Sequence, residues 1–407
     1  MFVSPRQPTI LCARCIARGR RALTTDSSTH STSTSSQTTP PPPPASGAAK
    51  LTNRRLICLH GRETPKFLQG IVTNNIRPQS TTAVYAAFLT AQGKVLNDVF
   101  IYPTLGSQWH TEKNGTEDPG YLVEVDADQA PALLAHLKRH KLRSKFKLRL
   151  LDQGELDVWS AWKEQDKWTP HPSLGSDTAE QATNEDTSGL VTMLDSRAPG
   201  MGRRILLPES SALRNSHPML SDLEDAPLSA YNIRRYMRGV PEGQTEIPRD
   251  NAFPMNTNID IMDGIDFKKG CYVGQELTIR THHTGVVRRR IFPVALYDPE
   301  SPAPSRLQYD PATSFSEPSL DTDIKAINKR GKPGKWIAGV GNVGLAMCRV
   351  EMMTDLVVTG EPSSFSADDQ FVIEAPVGDD SQNLGVKAFV PDWIRGKVRP
   401  PKTQKRV

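Results

Sequence analysis

The segment Lys269-Gly270-Cys271-Tyr272-Val273-Gly274-Gln275-Glu276 places one cysteine between a lysine pair and a glycine that precedes a predicted helix. Two glycines bracket the Cys-Tyr-Val step, so the backbone can turn tightly there or approach a ligand closely. The helix N-terminus and the ammonium groups of Lys268 and Lys269 both favour the thiolate form of Cys271. The pattern indicates a nucleophile or a metal ligand, although a lone cysteine buried as a small apolar residue would look the same.

Three further segments accompany the cysteine motif. Phe67-Leu68-Gln69-Gly70 lies near the start of the predicted folded region, Gly239-Val240-Pro241-Glu242-Gly243 precedes the motif, and Gly344-Leu345-Ala346 follows it. Together the four segments resemble the YgfZ family of folate-binding proteins, and within it the mitochondrial iron–sulfur cluster assembly factors of fungi and animals. The resemblance extends to the T-protein, the aminomethyltransferase of the glycine cleavage system, and runs from about Leu51 to about Trp393.

The fold that this resemblance implies belongs to the α+β class. It has two ferredoxin-like α/β lobes around a central cavity, over residues 51–290, and a small C-terminal β-barrel domain over residues 291–394. Strand–helix–strand patterns in the first region and short β-rich runs in the second agree with it. A loop insert is expected at about residues 300–335, and a polar insert at residues 164–189 is expected to be disordered.

Two local patterns bear on this arrangement. Gly339-Val340-Gly341-Asn342-Val343-Gly344 satisfies the GxGxxG pattern of dinucleotide-binding loops. It lies between a Lys/Gly/Pro-rich loop and the predicted strand Leu345–Val350, so the pattern favours a β-hairpin over a phosphate-binding loop. Residues 105–119 carry no periodic apolar pattern and are predicted to form an extended loop.

Both ends of the chain are basic, whereas the residues between them are mildly acidic. Residues 1–25 contain five arginines and no acidic residue, and a Ser/Thr- and Pro-rich stretch follows at residues 26–50. This composition is typical of a mitochondrial transit peptide and a disordered linker, so it predicts a location in the mitochondrial matrix. Residues 395–407 are predicted to be a basic, solvated tail. The acidic body argues against nucleic-acid binding.

The length of the chain and its cysteines indicate the number of domains and the redox state of the compartment. The chain has 407 residues, which is enough for two or three domains. Its five cysteines are scattered and odd in number, so they imply no disulfide framework and favour a reducing compartment. No apolar stretch approaches the roughly 18 residues of a membrane span. The protein is expected to be a monomer without a membrane span.

The resemblance also implies a cavity for tetrahydrofolate or a related folate. The T-protein has two adjacent acidic residues where this chain has Asn97 and Asp98, and a folate-contacting acid where it has Met237. Methionine cannot accept hydrogen bonds from a pterin as a carboxylate does, so these changes argue against one-carbon transfer but leave folate binding plausible. The candidate folate-contacting residues are Asn97, Asp98, Arg235, Tyr272, Gln275 and Glu276, and Asp98 is also a candidate catalytic residue.

Cys271 is the candidate functional thiolate and the candidate transient ligand of an iron–sulfur cluster, because thiolates hold such clusters best. His282 and His283 follow it on the predicted helix. Adjacent helical residues point in different directions, so both histidines cannot reach one metal ion together with Cys271. A full ligand set is therefore not predicted, and an architectural role is favoured for the histidines.

Three functions are compatible with the sequence. The first is a matrix factor that assembles or delivers iron–sulfur clusters, of the [4Fe–4S] type, for enzymes such as aconitase and lipoate synthase. Its partners would be A-type iron–sulfur carrier proteins and the recipient [4Fe–4S] enzymes. The second is a tetrahydrofolate-dependent aminomethyl or one-carbon transferase. The third is a folate-binding or redox-sensing module without turnover.

Overall fold

The structure is a computed structural model that describes residues 39–398 except residues 79, 116, 166–189, 210–219, 314, 361–362 and 378–379. The predicted transit peptide, residues 166–189 of the predicted insert and residues 399–407 of the predicted tail lie outside the described residues. No helix among the described residues is long and apolar enough to cross a membrane.

The described residues form strands and helices in three groups. In chain order the strands are β1 Ser46–Lys50, β2 Arg54–His60, β3 Val84–Leu89, β4 Val95–Pro103, β5 Gly120–Asp126, β6 Lys147–Leu150, β7 Asp157–Lys163, β8 Val191–Leu194, β9 Arg203–Leu207, β10 Glu224–Asp225, β11 Arg289–Tyr297, β12 Asp323–Ala326, β13 Gly334–Val340, β14 Val343–Arg349, β15 Phe371–Val377 and β16 Asp380–Ala388. The helices are α1 Thr64–Gln69, α2 Gln108–Asn114, α3 Ala130–Lys141, α4 Leu228–Arg238, α5 Gln275–Thr284, α6 Val350–Met353 and α7 Asp392–Lys397.

The first lobe is a five-stranded antiparallel sheet in the order β3-β4-β5-β2-β6. The helices α1 and α3 share a core with this sheet, because their apolar residues recur at helical spacing. Leu68 of α1 and Leu133 and Leu137 of α3 are fully buried in that core. The sheet therefore has one face covered by helices, and its other face is available for packing against the second lobe.

The second lobe is a five-stranded sheet in the order β10-β1-β7-β9-β8. Its strand β1 precedes the whole first lobe in the chain and pairs antiparallel with β7. The helix α4 contributes Ala230 and Tyr231 to a core that also holds Phe100 of the first lobe and Leu206 of the second. The two lobes thus share a buried interface beneath α4.

The C-terminal part is a closed barrel in the order β11-β14-β13-β12-β15-β16. Phe292, Trp336 and Leu384 are among the residues that fill its interior. Residues Gly341 and Asn342 join β13 to β14, and Gly341 has a φ of 60°. The GxGxxG segment is therefore a hairpin, as predicted, and the α+β class with two sheet-containing lobes and a C-terminal barrel is confirmed.

Two details of the linker and loop predictions are wrong. Residues 46–50 are not linker but strand β1, in which Ala48 and Ala49 are fully buried. Their small side chains hid the strand among Ser, Thr and Pro. Residues 105–119 contain helix α2, whose N-cap Ser107 accepts a hydrogen bond from the His110 amide and whose C-cap Gly115 is left-handed. These capping residues were a usable signal.

The predicted tail also begins too early. Arg395 and Lys397 belong to helix α7, whose Ile394 is fully buried in the barrel core. Arg395 forms a bidentate ion pair with Asp355 at 2.9 Å, and Lys397 pairs with Asp263 at 3.0 Å. An apolar anchor and paired charges hold these residues on the domain, which the basic composition alone did not indicate.

Candidate functional site

Cys271 is exposed on the loop that leads into helix α5. The loop packs closely on the hairpin between β3 and β4, because Gly274 has a φ of 81° and a side chain there would collide with the Thr90 carbonyl oxygen and with Cβ of Leu89 at 2.8 Å. At Gly270 an added Cβ would meet nothing within 4 Å. The two glycines that bracket the cysteine therefore differ: only Gly274 is required by the backbone.

Lys269 holds the same loop from the other side. Its ammonium group donates hydrogen bonds to the carbonyl oxygens of Gln69, Val72 and Asn74, at 2.9, 2.7 and 2.8 Å. Burial lowers the pKa of Lys269 to about 8. Its three donors are therefore occupied at the end of α1. Lys269 is a positioning residue for the loop, and Lys268 is the exposed lysine next to it.

The remaining polar residues of the motif are built into the loop and the helix start. The side-chain oxygen of Gln275 accepts a hydrogen bond from the amide of Tyr272 at 3.1 Å. The ring of Tyr272 is buried, with the Lys269 ammonium 4.9 Å from its centroid. Glu276 is exposed in the first turn of α5. Tyr272 and Gln275 therefore shape the loop that presents Cys271.

The histidines after the motif do not complete a metal site. His282 stacks on Phe267, with ring centroids 3.6 Å apart and the rings inclined by 14°. Burial lowers the pKa of His282, and neighbouring His283 lowers it further. Within the described part of the chain, no group of three or more His, Cys, Asp or Glu side chains is arranged to hold a metal ion. Cys271 therefore presents a single thiol without a ligand set of its own.

A cluster of buried charges lies where the two lobes meet. The first lobe contributes residues of β2, β4 and β5, the second lobe contributes residues at and before β9, and α4 and the turn after it close the group. We name it the central charge cluster; its members are Arg54, Asp98, Glu124, Asp195, Arg197, Arg204, Tyr231 and Glu242, each at most 4% exposed.

Arg204 joins the two lobes in this cluster. Its guanidinium forms ion pairs with Glu124 of β5 and with Glu242 of the turn after α4. A second pair lies beside it, in which Arg197 donates to both oxygens of Asp195 at 2.8 and 2.7 Å. Burial opposes ionisation of Glu242, but Arg204 and Arg197 outweigh it and hold the pKa of Glu242 well below its usual value. Glu242 is therefore ionised at neutral pH.

Several polar atoms of the cluster lack a hydrogen-bond partner among the described residues. They include both terminal nitrogens of Arg54, Oδ2 of Asp98 and Oε1 of Glu242, together with the hydroxyl of the adjacent Tyr85. Burial is the main cause of the raised pKa of Tyr85, and the charges of four cluster members also affect it: Asp98, Arg197, Glu242 and Arg54. These groups therefore lie close together. Buried donors and acceptors that converge in this way fit a polar ligand such as a pterin.

Two other predicted folate residues, Asn97 and Arg235, border that group, and the Arg235 guanidinium lies 5.4 Å from the ring centroid of Tyr231. The amide of Asn97 bonds to Gln244 at 3.0 Å, and Arg235 makes two 2.8 Å hydrogen bonds to Glu246. Met237 packs against the apolar residues that face the barrel rather than toward the central charge cluster. The acid that reaches the centre is Glu242, so the substitution at Met237 does not remove the carboxylate from it.

Asp98 is the predicted site residue that the structure brings into the cluster. Its Oδ1 accepts hydrogen bonds from the amide of Gly243 at 3.1 Å and from the side chain of Gln244 at 3.0 Å. The other cluster members were missed by the sequence analysis. A signal existed in Glu124, whose single charge stands between two valines of β5.

Comparison with known proteins identifies relatives along most of the chain. The family model described as "CAF17, C-terminal beta-barrel domain" matches residues 288–396. The mitochondrial iron–sulfur cluster assembly factor IBA57 homolog of Aspergillus clavatus is 43% identical over 408 residues, covering 95% of this chain and 89% of that protein. The homolog of Pyricularia oryzae is 47% identical over 358 residues, covering 86% of this chain and 85% of that protein.

A solved structure shares the fold at low identity. The glycine cleavage system aminomethyltransferase T from Bartonella henselae matches with a TM-score of 0.56 and 13% identity, over 88% of each chain. The fold is thus that of an aminomethyltransferase, while the close sequence relatives carry another name. Because the chain is more than 40% identical to these relatives over most of its length, it belongs to the family of the mitochondrial iron–sulfur cluster assembly factor IBA57.

Proposed function

We propose that this protein works in the mitochondrial matrix, where it helps to build or deliver [4Fe–4S] clusters for enzymes such as aconitase and lipoate synthase. The observation that carries the proposal is the presentation of Cys271. The thiol is exposed, while Lys269 and Gly274 hold its loop against the first lobe. A thiol fixed in this way can ligate a cluster briefly, and the cluster is the cargo of the reaction.

One thiol cannot hold a cluster by itself, because iron–sulfur clusters usually need four protein ligands. The described residues offer no group of three ligands near it. The proposal therefore requires a partner that brings the remaining ligands, and A-type iron–sulfur carrier proteins and the recipient enzymes are the class expected. Cys271 would be one ligand in a transient complex.

Folate binding is a second part of the proposal. The Tyr85 hydroxyl, Oδ2 of Asp98 and Oε1 of Glu242, which lack hydrogen-bond partners among the described residues, would hold the polar edge of tetrahydrofolate or a related folate at the lobe interface. A bound tetrahydrofolate supplies a carrier nitrogen for one-carbon groups. The role of this chain's residues would be to bind and orient the pterin in a site that excludes water. Whether turnover follows separates the transferase hypothesis from a binding or redox module.

Genetic complementation tests the main proposal. A strain that lacks the gene should show low aconitase and lipoate synthase activities, and the full chain should restore both. Failure to restore either activity, with the protein present in mitochondria, would refute the proposed function.

Equilibrium dialysis of the purified protein with tetrahydrofolate tests the folate part separately. Saturable binding that is weakened by Tyr85→Phe is expected. Release of a one-carbon product from a methylamine-loaded carrier protein would instead support the transferase.

A further inference from the structure

A cavity of about 360 Å³ opens where strands β11 and β14 meet, in the C-terminal barrel. It is separate from the cysteine loop and from the central charge cluster, with which it shares no residue. Its walls are formed by Arg288, Arg289, Arg349, Glu351, Met352 and Ser364. We name it the arginine cavity.

Two arginines of this cavity face each other on neighbouring strands. Arg289 and Arg349 are directly paired across the β11–β14 ladder, where Cβ atoms lie about 5 Å apart and like charges destabilise the sheet. The carbonyl of Arg288 accepts a hydrogen bond from the Val350 amide at 3.0 Å, which fixes the third arginine beside them. The next residue, Arg290, is different, because it forms a bidentate ion pair with Asp260.

No carboxylate of the described residues neutralises the cross-strand pair by an ion pair. The acidic residue of the wall, Glu351, turns its Oε1 to the amides of Val358 and Thr359, at 2.9 and 2.8 Å, and to the Thr359 hydroxyl at 2.7 Å. Burial opposes ionisation of Glu351, but these hydrogen bonds and, to a smaller extent, the charge of Arg288 outweigh it and lower the pKa of that carboxyl. One engaged carboxylate therefore faces three guanidinium groups.

Two features suggest the size of the ligand. The volume of the cavity falls in the range of small-molecule sites rather than extended protein interfaces. Met352 supplies an apolar wall, and Gly331 lies against its methyl group, which brings the basic loop 329–332 to the same side. Guanidinium groups bind carboxylate and phosphate oxygens through paired hydrogen bonds.

We propose that the arginine cavity is a binding site for a small multivalent oxyanion, of the phosphate or polycarboxylate class. The bound anion offsets the repulsion between Arg289 and Arg349 and links the ends of β11 and β14. The site would give the barrel a ligand-dependent stability that is independent of cluster transfer and of folate.

The test is calorimetric titration of the full chain, at constant ionic strength, with pyrophosphate, citrate and a hexaglutamate peptide. Pyrophosphate or citrate should bind saturably, and the Arg289→Gln/Arg349→Gln variant should bind at least about tenfold more weakly. Arg349→Lys keeps the charge but loses the planar fork, so it should be intermediate. Arg306→Gln removes an exposed arginine of the same domain and should bind as the wild type does.

Thermal unfolding, without and with anion, gives a second measurement. Without anion, the double variant should unfold at the wild-type temperature or above it, because the cross-strand repulsion is relieved. In the presence of pyrophosphate or citrate, the unfolding temperature of the wild type should rise by more than that of the double variant.

The proposal is overturned if neither small anion binds below about 10 mM. It is also overturned if the double variant binds as tightly as the wild type, or if only hexaglutamate binds. That last result would assign the surface to an acidic protein segment.

Discussion

Lys269 and Cys271 are two residues apart, and only the cysteine faces solvent. The lysine reaches three carbonyl oxygens of residues 69–74, nearly 200 positions earlier in the chain, and ties the cysteine loop to the end of α1. Its charge is therefore used to fix geometry. The chemical role that we propose for the motif belongs to the thiol, and the lysine positions the loop that carries it.

Replacing Lys269 by Met should destabilise the protein by about 2 kcal/mol, because hydrogen bonds from a charged donor are lost and three carbonyls are left without it. Thermal or denaturant unfolding measures this loss. Lys268→Met is the matched control, since its side chain is exposed, and it should change stability by less than about 0.5 kcal/mol. Equal effects of the two substitutions would show that the carbonyl contacts contribute nothing.

The loop before α5 depends on one left-handed residue. Gly274→Ala should destabilise the protein by more than about 2 kcal/mol, because it adds the strain of a positive φ to a collision with the backbone of Thr90. Gly270→Ala meets open space and should be tolerated. Circular dichroism melts of the two variants make the comparison. A stable Gly274→Ala protein would mean that the loop can lift away from the β3–β4 hairpin.

Helix α3 carries His136, whose protonation at acidic pH destabilises the folded protein. Burial lowers the pKa of His136 to about 4, helped by His140, Arg249 and Arg139. This folded-state value lies below the unfolded one, so the unfolded chain binds more protons between about pH 4 and 6.5, and the free energy of unfolding falls as the pH drops through that window. Solvent screening limits the effect to about 1 kcal/mol.

The His136→Gln variant should lose part of this pH dependence when unfolding by urea is compared at pH 5 and pH 7. The free energy of unfolding of the wild type minus that of the variant should be smaller at pH 5 than at pH 7. Parallel curves for the two proteins would show that His136 is protonated equally in the folded and unfolded states.

At the scale of the whole molecule, the lobes are joined by buried ion pairs. Removing one partner leaves the other charge buried and unpaired, so Glu242→Gln should cost about 3–5 kcal/mol. Glu374→Gln breaks an exposed pair with Lys325 and should cost no more than about 1 kcal/mol. Denaturant unfolding distinguishes them. Similar small losses for both would mean that Arg204 finds other partners in the cluster.

The sequence predicted the features that are formed by residues adjacent in the chain. It missed the features formed by residues that are far apart in the chain. The cysteine loop and the β13–β14 hairpin follow from residues that are adjacent in the chain, such as Gly341 and Asn342. The central charge cluster unites Arg54, Glu124 and Arg204, which only the sheet registers bring together. The same distance in sequence hid the carbonyl partners of Lys269. Resemblance to a family supplied the fold, because local patterns could not order the strands.

The central claim is that the exposed thiol of Cys271 takes part in iron–sulfur cluster assembly, and one measurement tests it most directly. In a strain that lacks the gene, the Cys271→Ala chain is expressed at the wild-type level, and aconitase and lipoate synthase activities are measured. The neighbouring Gly270→Ala variant, which keeps the thiol, serves as the control. We predict that Gly270→Ala restores both activities and Cys271→Ala restores neither. Full restoration by Cys271→Ala would contradict the claim.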